Sequence, residues 1–239
     1  MVNMQRMRSL VFTSLWTAWT AAFSLVLLVI WLAGTPERWV RAASRVWANG
    51  VLFLLKWVVG LSYIERGREN IPANACLVVA NHQSTWETIA SLVLFRDVAI
   101  ITKQELLNVP IFGWFLRMSP MITIDRESGS KAIRKMIDEG TAALAQGRPV
   151  LIFPEGTRSE ASAPVEFKRG VELLYAKLDA PVLPVAINAG TFWGIGQRTK
   201  SAGRITVTYL PPIPAGMPAQ AAMKQAEQAI QAALDDLRA

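Results

Sequence analysis

Hydrophobic positions fall into two regimes along the chain. From Ser9 to Pro36 there is no charged residue, and Leu10–Ala33 is mostly Leu, Val, Ala, Phe and Trp. As a helix this stretch rises about 36 Å at roughly 1.5 Å per residue, enough to cross a hydrocarbon core of about 30 Å with some tilt. A cleaved signal peptide would have an apolar region of only about 7–15 residues and a small-residue cleavage site, and neither fits here. A second apolar run, Val51–Tyr63, is interrupted by Lys56 and Gly60, which predicts an interfacial or re-entrant helix. Residues 1–66 are therefore expected to be membrane-anchoring helices paired as a two-helix hairpin. Such a hairpin returns the chain to its starting side. It would reconcile Arg6 and Arg8 before the segment with Arg38, Arg41 and Arg45 after it, a distribution that gives the positive-inside rule no clean answer.

Beyond Glu65–Asn70 and Pro72 the texture changes. Short β-rich runs at Cys76–Ala80, Val98–Thr102, Met121–Ile124, Val150–Phe153, Val182–Ile187 and Ile205–Leu210 alternate with helical patterns. Helices are predicted near Thr85–Leu94, over Lys131–Ala145 with Gly147 as the stop, over Gly170–Leu178, and over Pro218–Leu237. In the last, Met223, Ala226, Ile230, Leu234 and Leu237 share one face. This alternation predicts, for residues 67–239, an α/β domain with a mixed, mostly parallel sheet flanked by helices. Val109–Met118 carries too many large apolar residues for a solvent loop. It packs on the sheet, borders a groove for an apolar chain, or dips into the bilayer.

Composition sharpens the picture in two ways. The formal net charge of +7 favours an anionic partner, and the long uncharged N-terminal segment points to phospholipid head groups or phosphorylated substrates rather than nucleic acid. The single cysteine, Cys76, excludes an internal disulfide and sits in an apolar run, where a buried inert thiol is expected.

The only histidine, His82, follows the first of those runs in Ala80-Asn-His-Gln-Ser-Thr-Trp-Glu87. A turn after a parallel strand is where α/β folds place their sites, and histidine suits general-base work near neutral pH. Glu87 would stand near the imidazole if Ser84 caps the following helix. It can then orient the ring as the third member of a triad does, or merely complete the capping box Ser84-x-x-Glu87. The residues alone leave both readings open.

A second constellation is Leu151-Ile-Phe-Pro-Glu-Gly-Thr-Arg-Ser159. Gly156 lets backbone amides approach a ligand, Arg158 offers a forked donor suited to phosphate, and Glu155 would bond a substrate hydroxyl or position a basic neighbour. Lys103, Arg126 and Lys168 follow successive strands or turns. They are either separate surface charges or the rim of one anionic pocket.

Together these two motifs closely resemble those of the 1-acyl-sn-glycerol-3-phosphate acyltransferases of the glycerolipid acyltransferase family, over about Ile71 to Leu210. The resemblance implies a catalytic pair at His82 and Glu87, and substrate binding by Lys103, Arg126, Glu155, Gly156, Thr157, Arg158 and Lys168. Val182-Leu-Pro184-Val185 matches the family's last motif. The family acid is usually aspartate, so Glu87 changes the reach to the histidine. The implied reaction moves a fatty acyl group from acyl-CoA or acyl carrier protein, as co-substrate, to the sn-2 hydroxyl of lysophosphatidic acid. The expected partners are thus lysophosphatidic acid, an acyl thioester, membrane phospholipids and, for one of the two donors, acyl carrier protein, with no nucleic acid. No cofactor is implied, and one histidine with one cysteine makes a poor metal-ligand set. The expected location is a bacterial inner membrane, with the catalytic domain on the cytoplasmic side. Two alternatives stand beside this reading: an acyltransferase for another lysolipid, such as a lyso-ornithine lipid, and a membrane-bound hydrolase with Ser84 as nucleophile.

Overall fold

The structure, a computed structural model, describes residues 2–238, the side chains of Val2, Asn3 and Arg126 excepted. The apolar runs become the strands of one sheet: β1 (Leu61–Arg66), β2 (Leu77–Ala80), β3 (Ala99–Lys103), β4 (Ile122–Ile124), β5 (Val150–Ile152), β6 (Val182–Ile187) and β7 (Gly203–Tyr209). Their order is β1-β7-β6-β2-β5-β3-β4, and every pairing is parallel except that of β6 with β7. Strands buried on both faces read as continuous apolar runs because alternate side chains enter different cores. In β2, Val78 and Ala80 join one core while Leu77 and Val79 join the other.

The first core packs the sheet against α1 (Val2–Leu32), α2 (Glu37–Leu54) and α3 (Trp86–Leu94). A short helix, α4 (Phe112–Met118), sets Trp114, Phe115 and Met118 against Phe23, Leu27 and Val40 of the hairpin. The opposite core is covered by α5 (Ser130–Ala145), α6 (Gly170–Leu178) and α8 (Ala219–Arg238), while the brief α7 (Gly190–Trp193) returns to the hairpin side. On α8 the buried residues include Met223, Ala226, Ile230 and Leu234, the face its periodicity predicts.

The hairpin forms, but from different residues than the hydropathy pattern predicts. Its second arm starts at Glu37 and runs through a π-helical turn, Leu55–Val59, until Gly60 (φ +81°) ends it. Arg38, Arg41 and Arg45 interrupt the apolar pattern, yet their three- and four-residue spacing keeps them near one helical face. Arg41 and Arg45 both pair with the Asp97 carboxylate, and Arg148 Nε donates to the Asp97 carbonyl at 3.0 Å. The arginines after the apolar segment thus serve, in part, to fasten α2 to the α/β domain. The two arms run antiparallel and close: Trp19 Nε1 donates to the Trp47 carbonyl at 3.1 Å, and Trp47 Nε1 donates to Thr20 Oγ1 at 3.2 Å. Any Cβ on Gly50 would stand 2.6 Å from the Trp19 ring, so only glycine admits this approach.

Leu61–Tyr63, expected to continue the second helix, instead opens the edge strand β1, which lies on the anchor side of the boundary expected at residue 66. Met4–Leu32 is long and apolar enough to cross a membrane, and Leu25, Val29 and Leu32 stand exposed on it.

Candidate active site

The turn after β2 is held by its own side chains. Asn81 Nδ2 donates to the Ile187 carbonyl at 2.9 Å, and the Ile187 amide returns a bond to Asn81 Oδ1 at 2.8 Å. This two-way clamp ties the turn to the end of β6 and fixes the next residue, His82. The imidazole stacks on Phe153, with ring centroids 4.1 Å apart and planes 15° from parallel. Phe153 follows β5, the strand beside β2, so the stacking joins the two motifs found in the sequence.

Glu87 lies in the first turn of α3, and its side chain is only 1% exposed. Its Oε1 stands 3.1 Å from His82 Nδ1 and also accepts the amides of Gln83 at 2.5 Å and Ser84 at 2.6 Å. One oxygen therefore both ties down the amides ahead of α3 and stands within hydrogen-bond distance of the imidazole, although the N-cap position is Thr85, one residue past the Ser84 expected from sequence. With the hydrogen on Nδ1, Nε2 keeps a lone pair for proton abstraction. The histidine side chain remains 17% exposed. Glu87 Oε2 is buried without a hydrogen-bond partner among the described residues. Ser84 is fully buried and its hydroxyl accepts the Trp86 amide at 3.1 Å, which leaves it in no position to act as a nucleophile.

Glu155 is where the geometry departs most from the sequence reading. Instead of facing a substrate, it is 7% exposed, and both its oxygens are taken by the protein. Oε1 accepts the His82 amide at 2.7 Å, and Oε2 accepts the Ser159 hydroxyl at 2.5 Å. The Ser159 amide donates to the His82 carbonyl at 2.8 Å, closing the tie between the loops. Burial raises the Glu155 pKa, while the bonds from Ser159 and the His82 amide oppose that shift.

Two cations lie beside this knot. Arg158 is exposed and donates from Nη1 to Thr85 Oγ1 at 3.0 Å, beside the start of α3 and close to the histidine turn. Gly156 is left-handed (φ +75°), and the Lys168 side chain folds over it, with Nζ 3.2 Å from where a Cβ would be. Thr157 is exposed in the same turn. Lys103 is exposed at the end of β3, two strands from β2 on the same side of the sheet. Arg126 opens a 3-10 turn after β4, at that same end, but its side chain lies outside the described residues. Among the described residues, no group of three or more His, Cys, Asp or Glu is placed to hold a metal ion.

An apolar cavity of about 370 Å³ lies between the hairpin and the sheet, walled by Trp16 and Phe23 of α1, Thr85 at the start of α3, Ile89 and Leu92 of α3, and Val109–Phe112. No sequence motif marks it, because its walls come from distant segments. The apolar texture of Val109–Met118 was the one available signal. Asn81, Thr85, Phe153 and Ser159 were likewise not predicted as site residues, although each lies in or next to a motif.

Comparison with known proteins agrees with this arrangement. The family profile described as Acyltransferase matches residues 63–188, spanning both motifs. A 1-acyl-sn-glycerol-3-phosphate acyltransferase of Pseudomonas aeruginosa is 39% identical over 72% of this chain and 66% of its own length. The alpha form of Ovis aries is 31% identical over 69% of this chain and 58% of its own. The chain thus spans about three-fifths to two-thirds of these relatives. The crystal structure of the 1-acyl-sn-glycerophosphate acyltransferase PlsC from Thermotoga maritima superimposes with a TM-score of 0.79. It covers 98% of this chain and 95% of the other at 24% identity, which is a likeness of fold. With more than half of its length inside the family profile, this chain belongs to the acyltransferase family.

Proposed function

We propose that the protein transfers a fatty acyl group from a thioester, of CoA or of acyl carrier protein, to the sn-2 hydroxyl of 1-acyl-sn-glycerol 3-phosphate, giving phosphatidic acid. The observation that carries this is the double role of Thr85. Its hydroxyl holds Arg158, a phosphate-seeking fork, and the same residue lines the apolar cavity, three residues from His82. An anion grip, a base and an apolar chain site converge there. That combination suits an acceptor with a phosphate and a free hydroxyl, and a donor with a long acyl chain.

In this scheme His82 Nε2 takes the proton from the acceptor hydroxyl while that oxygen bonds to the thioester carbonyl carbon. Glu87 stabilises the imidazolium that results. The tetrahedral intermediate collapses with loss of the C–S bond, and the imidazolium returns its proton to the departing thiolate. Arg158 and Lys168 hold the acceptor phosphate, with Lys103 and Arg126 at the same end of the sheet. The cavity takes the donor's acyl chain. The apolar hairpin supports placement of the site at the surface of a bilayer, with the cytoplasmic face of a bacterial inner membrane as the proposed location.

The test is thioester-dependent acylation of lysophosphatidate by the wild type and by His82→Ala. General acid–base catalysis is worth about 10²–10⁴-fold, so the variant should lose at least that factor with its fold intact. Near-normal transfer would refute the assignment. A lyso-ornithine lipid run as competing acceptor should react more slowly, because it offers Arg158 no phosphate.

A further inference from the structure

Lys200 is a buried cation that the proposed chemistry does not use. It is 6% exposed and forms no ion pair among the described residues; burial lowers its pKa. Its ammonium lies 4.9 Å from the Trp193 ring centroid and 5.4 Å from that of Phe12, with a long bond of 3.4 Å to the Arg198 carbonyl. A desolvated ammonium facing two aromatic rings gains from their quadrupoles what it lacks in counter-charge.

The two rings belong to different parts of the molecule. Phe12 is on α1, and Trp193 is on α7, whose Gly190 packs against Gln83 of the histidine turn. Neighbouring bonds reinforce the joint: the Lys200 amide donates to Ser9 Oγ at 2.8 Å, and Gln5 Nε2 donates to Ser201 Oγ at 2.7 Å. Trp16, one turn beyond Phe12, meets Trp193 edge-to-face at 5.8 Å and also walls the apolar cavity. The clasp therefore sits one ring away from that wall.

We propose that Lys200 is a positioning residue: capping Phe12 and Trp193, whose rings meet edge-to-face at 6.0 Å, it holds α1 so that Trp16 forms the cavity wall, and thereby sets which acyl chains the donor site accepts. This rests on the reading of the cavity as the acyl-chain site. Ser9 and Gln5 fix the height of α1 through hydrogen bonds, whereas the ammonium draws the aromatic face inward. Lys200 acts through Trp16 and touches no reacting atom.

The test uses the full-length enzyme in detergent micelles, with lysophosphatidate and a graded series of saturated acyl-CoAs. Lys200→Met keeps the length and removes the charge. It should lower kcat/KM for the preferred acyl-CoA by about tenfold, the scale of a desolvated cation–π contact, and flatten the chain-length profile. The KM for lysophosphatidate and the melting temperature should hold. Lys200→Arg should restore the profile. Trp193→Leu should reproduce the change, and the double variant should add nothing further. An unaltered profile in Lys200→Met would overturn the proposal, as would a parallel fall in every parameter with the melting temperature, or an Arg variant that behaves like Met. Leu92→Phe, which narrows the cavity without touching the clasp, separates the two levels. If it shifts the profile and Lys200→Met does not, the Lys200 role alone fails. If it shifts nothing, the acyl-site reading fails and this inference with it.

Discussion

Glu87 Oε1 stands 3.1 Å from His82 Nδ1, and the same atom receives the amides of Gln83 and Ser84. One oxygen thus starts the helix, shapes the turn and orients the imidazole. In the proposed mechanism stability and catalysis are coupled at that atom, which changes what a substitution there should do.

Glu87→Gln keeps the size of the side chain and removes its charge. The loss of a charged orienting partner should reduce kcat by about 10²–10⁴-fold. Backbone bonds to a charged acceptor exceed those to a neutral one, so stability should also drop by about 1–2 kcal/mol. Steady-state kinetics and calorimetry on the same preparation check both. A rate loss with no stability loss would mean that the amide bonds do not depend on the carboxylate charge. A stability loss alone would reduce Glu87 to a cap.

Glu155 makes a different prediction, because both its bonds stay inside the protein. Glu155→Gln can still accept the His82 amide, and its new NH₂ can donate to Ser159. It should therefore retain activity within about threefold, whereas Glu155→Ala, which leaves a buried amide unpaired at a cost of about 1–3 kcal/mol, should lose both stability and rate. The pH dependence follows from the raised pKa. The folded state holds this proton more tightly than the unfolded one, so stability falls as pH rises from the ordinary value of 4.5 through the raised value, then levels off. Glu155→Gln should flatten that segment of the stability–pH curve. A large rise in acceptor KM for Glu155→Gln would restore the substrate-binding role inferred from sequence.

The strands β2 and β6 and the helix α6 were legible because an apolar run buried on both faces, or a helical stripe between clear stops, leaves little choice. β1 was not. Its Ser62, Glu65 and Arg66 suit a sheet edge, and it follows a helix without a break other than Gly60. α2 was hidden by arginines whose partner, Asp97, lies far along the chain. At the site, the order of the two motifs pointed to His82, Glu87 and Arg158, which the structure brings to one turn. The role of Glu155 was not readable, because nothing in Phe-Pro-Glu-Gly reveals that the His82 amide lies across from it. The cavity was beyond pattern for the same reason: Trp16, Ile89 and Val109 meet only after folding.

Asp97 offers a test of how the hairpin is attached. Its backbone is left-handed (φ +59°), a conformation that asparagine tolerates, so Asp97→Asn isolates the charge. Removing the shared carboxylate of Arg41 and Arg45 should lower stability by about 1–3 kcal/mol, the scale of hydrogen bonds to charged groups. The His82 turn is at the other end of the sheet, so kcat at low temperature should change by less than about twofold. Thermal unfolding followed by tryptophan fluorescence would report it, since Trp19 and Trp47 are bonded across the hairpin. An unchanged midpoint would mean that apolar packing alone holds α2.

Cys76 reports on access to the core rather than on a single bond. It is 3% exposed, packed in the hairpin-side core, and burial pushes its thiol pKa up to about 12. The thiolate is the reactive form, so neither protonation state nor exposure favours modification near neutral pH. A maleimide reagent should leave the folded protein unlabelled and label one equivalent once denaturant unfolds it. The labelling rate should track global unfolding, because Cys76 precedes β2 and its carbonyl accepts the Val150 amide at 3.0 Å. Asp97→Asn should then accelerate labelling by the factor its lost stability dictates. Fast labelling of the native protein would show that the start of β2 opens on its own. In that event the strand that carries His82 would not be the rigid support the proposed catalysis requires.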